Sequence, residues 1–424
     1  MVASGALTQV AAVGPQDMWL TCDPIITFWK GGYRRYTMFA MAEIEQTFNG
    51  LVGFNRRSVA TISRSGDLIA QIYMYVVIAA ITYTTTFAPS VPTLGGAHWS
   101  NALGYAMIDE ARVEIGGHEF DRHQGEFLEL WEQLSAPPEK LMHEMIAYGE
   151  AVADLVDYAW LTMYLYIPFK FWFNRFYEQA LPLIALQYHE VKIYVNTRTQ
   201  AQLAITYGTA VSGVNTTIPT DVTTMLLLVN YVFLDTMERR MFAQQAHEYL
   251  IDQVQYTGAE SHTAAVATLN SRQTFNHPVQ ELIWICQRDA VVAAGVNEWF
   301  NFSGNETAAT AGSLTTDPYT TMQLQLNGHD RTLAHQAQYY RLVQPYQHHS
   351  RFPQLYIYCY SFALYPEDVK PSGSCNMSRI DNVNLNFVFP TDAQLQWTGQ
   401  VRIYARSKNV MKIVSGMAGL MYAN

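Results

Sequence analysis

Short runs of β-branched and aromatic residues recur along the chain, separated by turn-forming residues: Ile25–Trp29, Val59–Ser63, Met163–Phe173, Leu183–Val195, Leu226–Leu234, Leu355–Leu364, Val383–Phe389 and Val401–Tyr404. This spacing predicts the antiparallel strands of β-sandwiches and argues against alternating strand–helix units. The longest apolar run, Leu68–Ile81, is shorter than the ~20 residues a membrane-crossing helix needs. It is rich in Tyr, Val and Ile and reads as a buried strand pair or one long core strand. Helical periodicity is confined to one region. Phe120, Phe127, Trp131 and Leu134 form one stripe, and Leu141, Met145, Tyr148, Val152 and Leu155 form another. Each is predicted to cover one edge of a sheet, with Pro137-Pro138 separating them.

The pattern repeats. Arg34-Arg35-Tyr36-Thr37-Met38-Phe39-Ala40 resembles Arg239-Arg240-Met241-Phe242-Ala243, and Ile44-Glu45-Gln46 resembles Ile251-Asp252-Gln253. Asp67-Leu68-Ile69 matches Glu281-Leu282-Ile283, and Glu114-Ile-Gly-Gly-His-Glu119 matches Gln325-Leu-Asn-Gly-His-Asp330. The matches keep their order at offsets of 203 to 214, so the chain reads as two copies of one β-rich unit. They join near Leu234-Asp235-Thr236 with no Gly/Ser/Pro linker, which predicts rigid abutment. Two Thr/Ala/Gly-rich stretches, Ala204–Thr224 and Ala290–Thr321, are too long for tight turns and read as large surface loops.

Composition narrows the class. Hydrophobic residues are 49% and charged residues 15%, against roughly 25% charged in an ordinary globular protein. Such a chain can bury a large core, which excludes intrinsic disorder, and its low charge implies surfaces that meet neighbouring chains. The net charge of −10, with no basic stripe, excludes direct nucleic-acid binding as the chain's main task. Cys22, Cys286, Cys359 and Cys375 show no CxxC spacing and read as reduced, buried thiols. The opening MVASGALTQVAAVGPQD has no basic n-region, so a soluble chain made in the cytosol is expected.

No catalytic motif survives inspection: GxxxxGK[ST], GxGxxG, GxSxG and HExxH are all absent. A metal held on a sandwich strand calls for His-x-His, because alternate residues share a face, and that pattern is missing too. His348-His349 reads as surface loop and His189-Glu190 as part of a half-buried strand, in preference to a metal site or a catalytic pair. Catalytic, cofactor and metal residues are therefore none. N-x-[ST] sequons occur at Asn215, Asn301, Asn305 and Asn376. The first three fall in the two long stretches and are candidate glycosylation acceptors, whereas Asn376 is expected to stay unmodified.

The motifs resemble a known family. Gly14-Pro-Gln-Asp17, Pro24-Ile-Ile-Thr-Phe28 and Tyr33-Arg-Arg-Tyr36 are similar to the opening of the major capsid proteins of nucleocytoplasmic large DNA viruses, the algal phycodnavirus type most of all. The resemblance continues through Ser65-Gly-Asp-Leu68, Glu114-Ile-Gly-Gly117 and Ala180–Lys192. It resumes at Tyr231-Val-Phe-Leu-Asp235, His247-Glu-Tyr-Leu250, Phe275-Asn-His-Pro278, Leu326–Arg331, Gln344-Pro-Tyr346, Pro371-Ser-Gly373, Ser378–Asn382 and Ser415–Asn424. It implies an all-β double jelly roll, two eight-stranded antiparallel sandwiches with short inserted helices in the first. The divisions would be an N-terminal arm over 1–26, a first jelly roll over 27–235 and a second over 236–424. It also implies a structural protein without enzymatic activity, forming homotrimeric, pseudo-hexagonal capsomers of an icosahedral virion assembled in the host cytoplasm. Neighbouring capsomers, penton and minor capsid proteins would be its partners, with an inner viral membrane nearby. A carbohydrate-binding jelly-roll surface module is the alternative, and a cupin-like metalloenzyme is disfavoured by the missing His-x-His.

Overall fold

The computed structural model describes residues 4–15, 17–24, 28, 35–83, 97–137, 142–149, 152–206, 216–304, 316–392 and 395–422. They fall into two units, Met1–Phe39 and Ala40–Asn424. The first carries helix α1 (Ser4–Ala11), a one-turn helix at Met18–Thr21, and an Asp17 carboxylate that accepts from the Gly14 amide at 2.8 Å.

Strand formation in the larger unit follows the alternation of apolar and polar residues. Its first half holds β1 (Phe39–Thr47), β2 (Arg57–Thr61), β3 (Leu68–Ile78), β4 (Ile108–Ile115), β5 (His118–Gln124), β6 (Met163–Pro168), β7 (Val191–Thr197) and β8 (Thr224–Leu234). One sheet runs β1-β8-β3-β6 and a second runs β2-β7-β4-β5. The second half holds β9 (His247–His262), β10 (Thr268–Gln273), β11 (Pro278–Arg288), β12 (Thr321–Leu326), β13 (His329–Asp330), β14 (Tyr358–Ser361), β15 (Val383–Val388) and β16 (Gly399–Val414). Its sheets run β9-β16-β11-β14 and β10-β15-β12-β13. The strand order of one half reproduces that of the other, position by position. Each half is a jelly roll, and the repeat read from the sequence is the repeat of the fold.

The matched segments occupy equivalent places. Glu114–Glu119 forms the β4–β5 hairpin, turning on Gly116 and Gly117 at φ +62° and +82°. Gln325–Asp330 forms the β12–β13 hairpin, turning on Asn327 and Gly328 at +51° and +79°. Two successive positive φ values suit a two-residue turn whose twist matches its strands, which is why Gly-Gly and Asn-Gly stand there.

Leu68–Ile81 resolves as the single strand β3, with Ile72, Met74, Val76 and Ile78 pointing into the first core. The run Met163–Phe173 ends as a strand at Pro168, and Leu183–Val195 becomes a strand only from Val191. The Ile25–Trp29 run lies, apart from Phe28, outside the described residues.

The helices depart further from expectation. α2 (Gly125–Ser135) buries its charged side too, with Glu126 and Glu129 each 1% exposed, because a second layer lies against it. Gly125 lets it start there: a Cβ would meet the Ile108 carbonyl oxygen at 2.0 Å. The second stripe is not one helix. Ala147, at φ +54°, ends the turn His143–Ile146, and α3 (Val152–Ala159) follows. α4 (Thr236–Gln244) was not foreseen, since it is polar and has no buried residue to give it an apolar stripe. It fills the junction, where Arg239 clamps Asp67 through Nε at 2.9 Å and Nη2 at 3.1 Å.

The Ala290–Thr321 stretch is not wholly a surface loop. Val291, Asn297, Trp299, Phe300 and Phe302 are buried, and the last three join the first core. Residues 305–315 of this stretch and 207–215 of the other lie outside the described residues.

Candidate functional site

The densest chemistry in the molecule lies where the two jelly rolls meet. It is built on the outward face of the β9-β16-β11-β14 sheet. On β16, Val401, Ile403 and Ala405 point into the second core, so Arg402, Tyr404, Arg406 and Lys408 point out. By the same alternation β11 turns Glu281, Ile283 and Ile285 outward. The chain from the first jelly roll that covers this face is β5 with α2. Gln253 donates to the Phe120 carbonyl at 2.5 Å, the Val254 amide donates to Asp121 at 3.1 Å, and Phe127 packs 5.6 Å from the Tyr404 ring.

Two ion clusters sit within this contact. In the first, the Glu126 carboxylate of α2 accepts from Arg198 at 2.7 Å and from Arg402 at 2.6 Å. Burial opposes its charge, but the two guanidiniums outweigh that and hold its carboxyl below the usual range. In the second, Arg406 donates to Glu281 and Asp252 at 2.9 Å each, and Lys408 reaches Asp252 at 2.5 Å. Arg175 from the first jelly roll adds a 3.5 Å contact to Asp252 and donates to the Glu367 carbonyl at 2.8 Å. The Trp131 indole receives both cations on its ring, Arg406 at 4.2 Å and Arg175 at 4.6 Å. His349 completes the group, its Nε2 3.0 Å from Glu281 and its Nδ1 3.0 Å from Glu367. Burial disfavours the imidazolium, yet Glu281 dominates and raises His349 well above its ordinary pKa.

The Ala290–Gly304 side of the second jelly roll forms a clasp beside these ions. Asn297 donates to the carbonyls of Ala201 at 2.8 Å and Ala204 at 2.7 Å, and Trp299 donates to the Gln202 carbonyl at 2.7 Å. Arg198 stacks 3.9 Å from the Trp299 ring centre, and Ser100 donates to the Asn297 carbonyl at 2.9 Å. The work of this arrangement is mechanical: Glu126 meets Arg402 and Arg175 meets Asp252 only while the two jelly rolls stay in register, and Arg406, Lys408 and His349 pair within the second.

The comparisons agree with that reading. Residues 27–235 match the family described as major capsid protein N-terminus, and residues 238–419 match large eukaryotic DNA virus major capsid protein. The chain belongs to the major capsid proteins of large eukaryotic DNA viruses. It is 37% identical to the major capsid protein of Pyramimonas orientalis virus and 35% identical to that of Phaeocystis pouchetii virus, over 99% of this chain and 100% of each relative. The PBCV-1 virus capsid structure superposes with a TM-score of 0.77 at 32% identity, covering 94% of this chain and all of that one. The role of this capsid protein is structural, and the carbohydrate-binding alternative finds no support among its relatives.

Several residues sit differently in this capsid protein from what sequence reasoning expected. His349 belongs to no surface loop: its side chain is 0% exposed because Glu281 and Glu367 bracket it. His189 precedes β7 instead of lying in it, and its Nδ1 accepts from the Ala418 amide at 3.2 Å. Cys286 and Cys359 are buried free thiols, whereas Cys22 is exposed and Cys375 half-buried. Asn301 is half-buried. Its amide donates to Glu298 at 2.7 Å and its carbonyl oxygen accepts from the Ser303 hydroxyl at 2.7 Å. Asn215 and Asn305 lie outside the described residues. The Asn376 side chain accepts from the Ser378 amide at 3.1 Å. Among the described residues no group of three or more His, Cys, Asp or Glu is placed to hold a metal ion. The ion clusters were missed, although Arg402, Arg406 and Lys408 share one parity within a strand, a signal of a charged and covered face.

Proposed function

We propose that three copies of this chain assemble into a pseudo-hexagonal capsomer, the repeating tile of an icosahedral capsid. The observation that carries the reading is the doubled jelly roll with one strand order, its halves joined by the Arg402–Glu126 and Arg175–Asp252 ion pairs. Three chains then supply six similar lobes, which tile a facet with near-equivalent contacts. Neighbouring capsomers, penton and minor capsid proteins are the partners, assembly takes place in the host cytoplasm, and no catalysis is involved. The three parts of the chain in this reading are the arm over 1–26 and jelly rolls over 27–235 and 236–424.

The arm lies on the inner side, towards minor proteins and the membrane beneath the shell. α1 supports this, with Leu7 and Val10 exposed and no charged residue along its length. Sugars at Asn215, Asn301 and Asn305 would face the exterior, Asn301 only after giving up its bond to Glu298. Light scattering at micromolar concentration is expected to give three times the 48.1 kDa chain mass, and a 48.1 kDa monomer would overturn the proposal. Deleting residues 1–23 should leave that mass ratio intact while impairing particle assembly.

A further inference from the structure

The sheets β1-β8-β3-β6 and β9-β16-β11-β14 are equivalent in strand order, yet their outward faces meet different surroundings. In the second jelly roll Ile283, Ile285 and Tyr404 on that face are at most 1% exposed, because β5 and α2 lie on it. In the first, the equivalent face carries Tyr73, Tyr75 and Val77 on β3, Leu226 and Leu228 on β8, and Tyr164 and Tyr166 on β6. Register places Tyr75 between Leu226 and Tyr166, and Tyr73 opposite Leu228. The Tyr75 and Tyr166 ring centres are 5.0 Å apart. Tyr164 remains 58% and Tyr166 40% exposed. Polar groups lie at the margins of this face: Gln71 accepts from the Tyr73 hydroxyl at 3.0 Å, and Glu43 and Glu45 of β1 lie beside Tyr73 and Tyr75. Its centre is aromatic and aliphatic where a face meant for water would alternate to polar residues.

The element that covers the second face has a counterpart of its own. The offset of 211 between the two matched hairpins carries Gly125–Ser135 onto residues 336–346. There the chain is again helical, over Tyr339–Val343 and then Gln344–His348. Trp131, on which Arg406 rests, maps to Leu342, and Ser135 maps to Tyr346. Leu342 is 43%, Val343 39% and Tyr346 74% exposed, and Tyr346 stacks on the half-exposed Phe352 ring at 5.9 Å, so this helix presents an apolar side to the surface.

We propose that the outward face of the first jelly roll receives the helical segment Tyr339–His348 of a second copy of this chain, repeating between chains the contact that α2 makes within one. The proposal rests on the trimer reading and names the surfaces that would build it. Such a contact is head-to-tail: each copy offers its helix to one neighbour and its sheet to the other. Inside a chain the contact adds ion pairs, Arg402–Glu126 and Arg175–Asp252, to its apolar packing. Between chains it is set by tyrosines and leucines, which can part without stranding a buried charge.

The test uses two double variants of the full chain, Tyr164→Glu with Tyr166→Glu, and Leu342→Glu with Tyr346→Glu. All four positions are exposed in the single chain, so far-UV circular dichroism and melting of the variants should match those of dissociated wild type. By light scattering each variant alone should fall from three times 48.1 kDa to 48.1 kDa. An equimolar mixture should rise to twice 48.1 kDa and stop, because one intact helix meets one intact sheet and the other two surfaces are spoiled. Heterodimer formation also shows that both variants are folded. Variants that remain trimers overturn the docking surface alone and leave the trimer standing. A mixture that stays monomeric also overturns it. A wild type that is itself monomeric overturns the trimer and this surface together.

Discussion

The two jelly rolls share a strand order but use the outward side of one sheet in opposite ways. On the second, β11 and β16 present Glu281, Arg402, Arg406 and Lys408 together with Ile283 and Tyr404, enclosed by chain from the first and by the second's own Pro366 and Val369, whose carbonyls accept from Arg406 and Lys408. On the first, β3 and β6 present Tyr73, Tyr75, Tyr164 and Tyr166 to the surface. Charges suit a contact that forms once, during folding, because a buried ion pair rewards only one register and severely penalises a lost partner. Uncharged aromatic surface suits a contact made later between finished subunits, since it tolerates exposure beforehand. Duplication therefore supplied one fold twice, and side-chain chemistry divided the copies into a permanent joint and an open one.

The sharpest way to break the comparison is to remove a cation from the closed face. Arg406→Leu removes the buried guanidinium that Asp252 and Glu281 share, leaving Asp252 to Lys408 and Arg175 and Glu281 to His349, and should cost about 3 kcal/mol in denaturant unfolding of the isolated chain.

The next effect depends on pH. Glu129 is fully buried in α2, and burial raises its pKa from 4.5 to about 7. The folded state therefore keeps a proton that the unfolded chain has released, so the associated stability is complete below about pH 4.5 and is lost as pH rises through about 7. Glu129→Gln should melt higher than wild type at pH 8, by about 3 kcal/mol, with the gap closing towards pH 5. His349 behaves oppositely to an ordinary surface histidine. Its raised pKa means that its contribution is complete below about pH 6.5 and declines as pH rises towards the folded pKa.

Asn297→Ala strands the Ala201 and Ala204 carbonyls, for a loss of about 2 kcal/mol in the same unfolding assay. At the other extreme, Tyr164→Ser on the open face should move the stability of dissociated chains by less than about 0.5 kcal/mol. A large loss there would mean that the tyrosine face belongs to the fold and not to assembly.

The fold was legible where local rules agree with the tertiary context. The duplicated hairpins at Gly116-Gly117 and Asn327-Gly328 carry their turn chemistry openly, and β3 alternates along its length. β9 and β11 were hidden, and β16 showed only at Val401–Tyr404, because their outward positions are charged or mixed, which interrupts the apolar run that marks a strand. The same charges made the joint invisible as a site: His349 read as surface loop although Glu281 and Glu367 enclose it, and Arg406 lies on a face that Trp131 of the first jelly roll covers. Val291–Phe302 failed for a related reason. Its Ala- and Gly-rich setting suggested a loop, whereas its aromatic residues are anchored by Asn297 and Trp299 to the other half of the chain.

Oxidative footprinting of tyrosines in intact particles and in dissociated chains would compare the two faces most directly. Tyr404 should be protected in both states, since α2 covers it within a single chain. Tyr164 and Tyr166 should be labelled in dissociated chains and become protected in the particle. Equal labelling of Tyr164 and Tyr166 in both states would contradict the account, because the face held to be the open joint would then remain bare in the finished capsid.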